Sequence, residues 1–238
     1  MPSVTTQGVV LRYSNYREND RMLTLLSPSL GKLDVMSRGC RKLSSPLHSV
    51  SEMFITGEFV LYQNKDKYQL VSAEAAQNFY DLRLDVDRLT AAVYLCDLCR
   101  EAAQTAQPQQ TLYYLLLRSL AYMDYSAESL TAIVSAFLLS YASALGYTPR
   151  MNHCAVCMKK LPEGSARFDI SAGGVVCREH SESAENITAG EEEWIRAVIK
   201  GGIDEFLRLP VKDAPLGLLR RYVETRLDRP IKSGAMLK

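Results

Sequence analysis

The sequence predicts an α+β protein in which a small five-stranded barrel is followed by helices that carry a compact metal-binding insertion. Short runs rich in Val, Leu, Phe, Tyr and Thr fill the first 80 residues, as strands require. Apolar residues at helical spacing dominate from residue 81, and paired cysteine and histidine residues interrupt them. We therefore divide the 238 residues into domains 1–80 and 81–238, with the metal module at about 150–185.

Five segments of the first domain are predicted to be strands: residues 4–13, 22–26, 32–38, 53–62 and 67–75. Turn-forming residues separate them, notably at 27–31 and 64–66. The connection between the third and fourth strands, residues 39–51, is longer. Five strands with one long connection are compatible with an OB-fold, whose barrel face and loops commonly bind single strands of nucleic acid.

Basic residues cluster at the strand ends and connections of this barrel, where they could neutralise phosphates while Tyr13 and Tyr16 stack on unpaired bases. In residues 38–42 (Arg-Gly-Cys-Arg-Lys) the glycine permits a tight turn that could bring three cations together. The alternative is a solvated surface, partly offset by Glu18 and Asp20. The candidate nucleic-acid contacts are Arg12, Arg17, Arg21, Lys32, Arg38, Arg41 and Lys42.

Five helices are predicted in the second domain, at residues 82–106, 111–122, 127–145, from about 189, and 214–228. Gly146 and Pro149 end the third helix, as expected beyond a helix C-terminus. Thr188 can cap the fourth helix, which has acidic residues in its first turn. The metal module is therefore an insertion in a packed helical domain.

The metal module contains Cys154-x-x-Cys157, then nineteen residues, then Cys177-x-x-His180. Two such pairs can surround a tetrahedral Zn²⁺, because each pair bends round one edge of the ion. A catalytic zinc keeps one position open, whereas these four groups close the shell. We predict one structural zinc in a ribbon or knuckle, with His153 as an alternative ligand that we expect to lie outside it.

Composition and motifs exclude several classes of function. No run of eighteen apolar residues suits a membrane span, and the first six residues lack the pattern of a signal peptide, so we expect a cytoplasmic protein. The net charge of +1 decides little. Phosphate-binding loops and common hydrolase motifs are missing, and Cys96-x-x-Cys99 lies in an apolar helix, so we predict no enzymatic activity.

Two sets of motifs run in order along nearly the whole chain. The N-terminal set comprises residues 8–13 (GVVLRY), 16–21 (YRENDR), 23–27 (LTLLS), 31–32 (GK) and 38–42 (RGCRK). The C-terminal set comprises residues 145–149 (LGYTP), the first cysteine pair, 168–169 (FD), 173–177 (GGVVC) and His180. Together they resemble the two halves of RecO, a family of bacterial DNA repair proteins. His180 stands where many members have a fourth cysteine.

The resemblance implies a recombination mediator with an OB-fold and a helical C-terminal domain. RecO proteins bind single- and double-stranded DNA and anneal complementary strands. They work with RecR to load RecA onto DNA coated by single-strand-binding protein, whose acidic C-terminal tail they bind. The implied partners are therefore DNA, RecR and that tail, with RecA indirect, no membrane, and a cytoplasmic, nucleoid-associated location.

The seven cations are then expected to hold phosphates while the bases stay free to pair. Candidates for binding the tail carboxylate are Arg118, Arg150, Lys159 and Arg178, among which the sequence does not choose. Two other functions stay open. One is a zinc-ribbon scaffold for protein interactions without DNA affinity, and the other is a metal-dependent nuclease, for which no open metal position or carboxylate cluster is visible.

Overall fold

A computed structural model describes residues 3–65, 67–162, 164 and 167–237. Its first part is a closed barrel of five strands in the order β1-β2-β3-β5-β4. The strands are β1 Ser3–Tyr16, β2 Asp20–Ser27, β3 Gly31–Ser37, β4 Thr56–Asn64 and β5 Lys67–Gln77. Each predicted strand is thus present with its ends moved by a few residues, and the predicted OB-fold is confirmed.

The barrel closes through one parallel contact. β3 pairs with β5 in parallel at Val35–Tyr68 and Met36–Gln69, whereas the other neighbouring strands are antiparallel. Alternate residues along the strands point inward, as in β3, where Leu33 and Val35 are buried and Asp34 is exposed. The inward set forms an apolar core that closing the barrel removes from water.

Within the described residues the α-helices are α1 Val86–Ala102, α2 Gln110–Tyr125, α3 Leu130–Ala144, α4 Ala189–Gly201 and α5 Leu216–Arg226. The first helix begins later than predicted because the Asp85 side chain accepts the N–H groups of Asp87 and Arg88 and so caps it there. The cap predicted for α4 is confirmed, since Thr188 and Glu191 form a reciprocal capping box.

The chain forms two compact units, one up to residue 125 and one of residues 126–237. In the first, α1 and α2 pack against strands β1 and β2. The Lys32 amide donates to the Gln104 carbonyl over 3.1 Å, which joins the start of β3 to the segment after α1. The boundary after residue 80 marks the change from strands to helices, and as a domain boundary it stays a prediction.

In the second unit α3 packs against α4 and α5. The chain between α3 and α4 contains a small sheet of β6 Arg167–Asp169, β7 Gly174–Val175 and β8 Glu185–Asn186 in the order β7-β6-β8. Phe168 of β6 is fully buried and meets Tyr222 of α5 edge to face, with ring centroids 5.7 Å apart. None of the helices described is long and apolar enough to cross a membrane.

Candidate metal centre and nucleic-acid interface

Two tight turns form the metal module. In the first, the Cys154 amide donates to the Lys159 carbonyl over 2.8 Å, and the Met158 amide donates to the Cys154 carbonyl over 3.0 Å. In the second, the His180 amide donates to the Cys177 carbonyl over 3.0 Å. These turns fold each ligand pair back on itself, so that both side chains of a pair point the same way.

The structure brings the four predicted ligands together, with their ligand atoms all within 4.8 Å of one another. The Cys157 and Cys177 sulfurs are 3.8 Å apart, which matches the ~3.8 Å edge of a tetrahedron with Zn–S bonds of about 2.3 Å. His180 Nδ1 lies 3.1 Å from the Cys177 sulfur and 3.9 Å from that of Cys154. A cluster of three cysteines and one histidine could therefore hold a metal ion.

Electrostatics at Cys154 favour a metal-binding thiolate. Burial by itself raises the pKa of the Cys154 thiol, but backbone N–H groups of Cys157, Cys177 and Val156 point at its sulfur and bring the pKa down to about 6. The thiolate is the form that binds metal, and here it is stabilised before any ion arrives. His153 lies outside the cluster.

Two of the seven predicted DNA contacts are only partly exposed, and protein groups hold their charged ends. The Arg21 guanidinium pairs with Glu52 over 2.6 Å, donates to the Ser51 carbonyl and lies over the Tyr13 ring at 3.9 Å. The Lys32 ammonium donates to the Arg100 carbonyl over 2.8 Å. The ion pair offsets the charge of Arg21, whereas the Lys32 ammonium stays charged but points at a backbone carbonyl of α1. Both side chains therefore stabilise the protein rather than facing an external phosphate.

The other five predicted contacts, Arg12, Arg17, Arg38, Arg41 and Lys42, are exposed. Arg17 and Arg38 line a cleft of about 490 Å³ on the barrel, together with Tyr16, Tyr62 and Tyr68. Arg12 lines a second cleft of about 300 Å³. The two clefts share Met22 of β2 and Asp34 of β3 and therefore adjoin, and we call the two together the barrel groove.

The predicted turn at residues 38–42 is present, with Gly39 at a φ of +68°. The Gly39 amide donates to the Asp20 carboxylate over 2.8 Å, and the Arg41 guanidinium donates to the Glu18 carbonyl over 2.8 Å. The Asp20 carboxylate therefore holds the turn in place. Arg38 is thereby positioned at the groove, while Arg41 and Lys42 stay on the exposed turn beside it.

The sequence reasoning missed the aromatic wall of the groove. Tyr62 and Tyr68 line the cleft with Lys67 and Gln69, next to the hairpin between β4 and β5. The parallel pairing of β5 with β3 places Tyr68 beside Val35 and so brings this hairpin to the groove. The periodicity of a strand shows which of its residues point inward and which outward. Which strands lie side by side is decided only when the barrel closes.

Comparison with known proteins identifies both halves of the chain. The family model described as "Recombination protein O N terminal" matches residues 1–79, and "Recombination protein O C terminal" matches residues 83–235. Three similar relatives each carry the name DNA repair protein RecO. That of Alkaliphilus metalliredigens is 32% identical over 95% of this chain and 94% of its own. That of Exiguobacterium sibiricum is 31% identical over 94% of this chain and 90% of its own. That of Acetivibrio thermocellus is 28% identical over 96% of this chain and 94% of its own.

Proposed function

Since the chain belongs to the RecO family of DNA repair proteins, we propose that it is a recombination mediator that binds single- and double-stranded DNA and anneals complementary strands. With RecR it would help to load RecA onto DNA coated by single-strand-binding protein, in the cytoplasm and at the nucleoid. The observation that supports this most directly is the barrel groove, which exposed cations line together with tyrosines.

The groove has the two components that sequence-independent binding of single strands requires. Arg12, Arg17 and Arg38 can neutralise phosphates in the groove. The exposed Tyr16 and the half-buried Tyr62 offer ring surface for unpaired bases, whereas Tyr68 packs partly against the barrel core. Because phosphate contacts carry most of the affinity, bases that are not stacked stay available to a complementary strand. Annealing then needs charge neutralisation and proximity, with no nucleotide hydrolysis, so we assign the protein no catalytic residues.

The metal cluster fits a structural zinc ion. Three sulfurs and an imidazole nitrogen fill a tetrahedral shell and leave no open position for water or substrate. When bound, the ion would crosslink the two turns of a module that has only short strands and a small apolar cluster of its own.

The tail of single-strand-binding protein stays a proposed ligand without a chosen pocket. Of the four candidate cations, Arg150 lines a small cavity with Tyr147 and Arg226, whereas Lys159 and Arg178 line another cleft. Arg118 lies over the ring of Tyr122, with 5.9 Å between the guanidinium carbon and the ring centroid. An acidic peptide could meet a cation at each of these places. Affinity measurements with a peptide of the tail and single variants of the four cations would identify the one that binds it.

The test is annealing of two complementary labelled oligonucleotides without nucleotide, at low and moderate salt, with strand length read in parallel. Wild type should accelerate annealing of intact strands, and less so as salt rises. Charge reversal at Arg38, Arg41 and Lys42 should weaken binding and flatten its salt dependence. A matched triple reversal at the exposed residues Lys200, Arg208 and Lys212 should leave both unchanged.

Each failure points to a different function. Strands shortened in the presence of metal would identify a nuclease. A folded, metal-loaded protein without DNA affinity would favour the scaffold for protein interactions. An unchanged salt slope in the triple variant, with annealing intact, would remove residues 38–42 from the DNA interface while leaving the mediator function standing.

A further inference from the structure

A second cationic cleft lies on the metal module, in the unit of residues 126–237, and the barrel groove does not include it. It has a volume of about 360 Å³ and is lined by Lys159, Lys160, Arg167 and Arg178, with Leu161 and Val176 as apolar neighbours. We call it the module cleft. None of its described lining residues is acidic.

The cations reach this cleft from three separate stretches of chain. Lys159 and Lys160 follow the first metal turn, Arg167 begins β6 and Arg178 follows Cys177. Their convergence is therefore a product of the metal-centred fold. Arg167 donates to the Ser181 hydroxyl over 2.5 Å, whereas the side chains of Lys159, Lys160 and Arg178 have no hydrogen bond or ion pair with the part of the chain that the structure describes.

The four cations of the module cleft are more than the charge of the metal centre would need for neutralisation. Three thiolates and a neutral imidazole around a divalent ion carry a net charge of −1, which one cation offsets. The Cys154 sulfur moreover already receives backbone N–H groups. The surplus positive charge, open to solvent and without an acidic neighbour in the described lining, matches a polyanion.

We propose that the module cleft is a second nucleic-acid site, which binds the phosphate backbone of a strand other than the one in the barrel groove. The cleft has no aromatic residue among its described lining residues, so it offers no stacking platform and should accept duplex and single strand alike. Two strand sites on one chain would hold two DNA segments at high effective concentration, as annealing requires. This inference rests on the proposed DNA binding by the barrel.

The test measures energy transfer between two non-complementary oligonucleotides that carry donor and acceptor dyes, mixed with full-length metal-loaded protein. Wild type should bring both strands together. Lys159→Ala/Lys160→Ala should lose most of the transfer and keep binding of one strand in the groove, while Arg12→Ala/Arg38→Ala should weaken that binding. Duplex affinity of the lysine variant should fall by roughly 60-fold near 0.1 M salt, because each lost phosphate contact removes a factor of about 10^0.9 relative to 1 M salt.

Lys200→Ala/Lys212→Ala is the matched control, since both residues are exposed, lie in the same unit and do not line the cleft. Single-strand binding without energy transfer in wild type would overturn this inference alone, whereas no binding of any strand would overturn the proposed function as well. The inference also fails if the lysine variant loses metal in proportion to its loss of transfer. It fails equally if that variant keeps its affinity for duplex DNA and loses only its affinity for an acidic peptide. That result would make the cleft a protein-binding site.

Discussion

At the scale of single residues, the same residue type has different roles in the barrel according to its neighbours. Arg21 has an ion pair, a carbonyl acceptor and a ring, whereas the exposed Arg38 lines the groove. A guanidinium already held by a carboxylate has little net charge to offer to a phosphate. The proposed DNA-binding surface is therefore smaller than the count of cations in residues 1–80 suggests.

Asp34 provides a sensitive probe of the groove, because this exposed carboxylate lies where the two clefts meet. It should repel phosphates, so Asp34→Asn should tighten single-strand binding roughly threefold at low salt, as loss of one like charge a few ångströms away in water implies. Fluorescence anisotropy measures this. Glu74→Gln, at an exposed position outside the groove, should change nothing. Equal effects of the two substitutions would show a response to net charge alone.

The cysteines should differ sharply in reactivity. Burial raises the pKa of the Cys96 and Cys99 thiols well above the usual value, so at pH 8 they stay protonated and poorly nucleophilic. Cys157 is exposed. Alkylation with iodoacetamide after metal removal, followed by mass spectrometry, should label Cys157 in the folded protein, and Cys96 and Cys99 only in denaturant. Labelling of either helical cysteine at the rate of Cys157 would contradict their burial.

At the scale of elements, β3 begins at a position that only glycine fits. Gly31 has a φ of +72°, and a Cβ there would lie 2.3 Å from the Gln104 carbonyl oxygen and 2.4 Å from that of Gln107. The close approach lets the segment after α1 pair with the barrel, where Gly31 and Thr105 form an isolated β-bridge. The motif Gly31-Lys32 thus serves the contact between barrel and helix.

Gly31→Ala should therefore destabilise the protein by about 2 kcal/mol or more, since a left-handed alanine alone costs roughly 1–2 kcal/mol and the two carbonyls must also move. Gly39→Ala is the matched control, because its φ is +68° but nothing lies within 4 Å of the added Cβ. It should cost only the conformational part, about 1 kcal/mol. Urea unfolding measures both, and equal losses would show that the contact with residues 104–107 is loose.

At the scale of the whole molecule, stability is built differently in the barrel and in the metal module. The barrel buries a continuous core of Val, Leu, Ile and Phe side chains. In the module the buried cluster consists of Cys154, Val176 and Cys177, with four partly buried residues around it. Since two of those three residues are predicted ligands, a bound metal ion would supplement the small apolar cluster around the two turns.

Removal of the metal should accordingly loosen the module and leave the barrel intact. Chelation should raise hydrogen exchange in the described part of residues 150–185, because the apolar cluster around the ligand turns is too small to hold them together by itself. Strands β1 to β5 are the internal control and should keep their protection. Hydrogen exchange with mass spectrometry reads both regions at once, and unchanged protection of the module would make the cluster a non-structural site.

The sequence alone determined the strand and helix pattern, the four residues of the candidate metal cluster and the family resemblance. These depend on local periodicity, cap residues and short spacings such as Cys154-x-x-Cys157. Only the tertiary structure decided which cations remain available. It also decided that Tyr68 joins the groove and that Lys160 and Arg178 meet in one cleft. The physical reason is that these contacts arise from barrel closure and from the two turns of the metal cluster, which bring together residues far apart in the sequence. Hydrophobic periodicity predicts single strands and helices, but it does not show which distant residues meet.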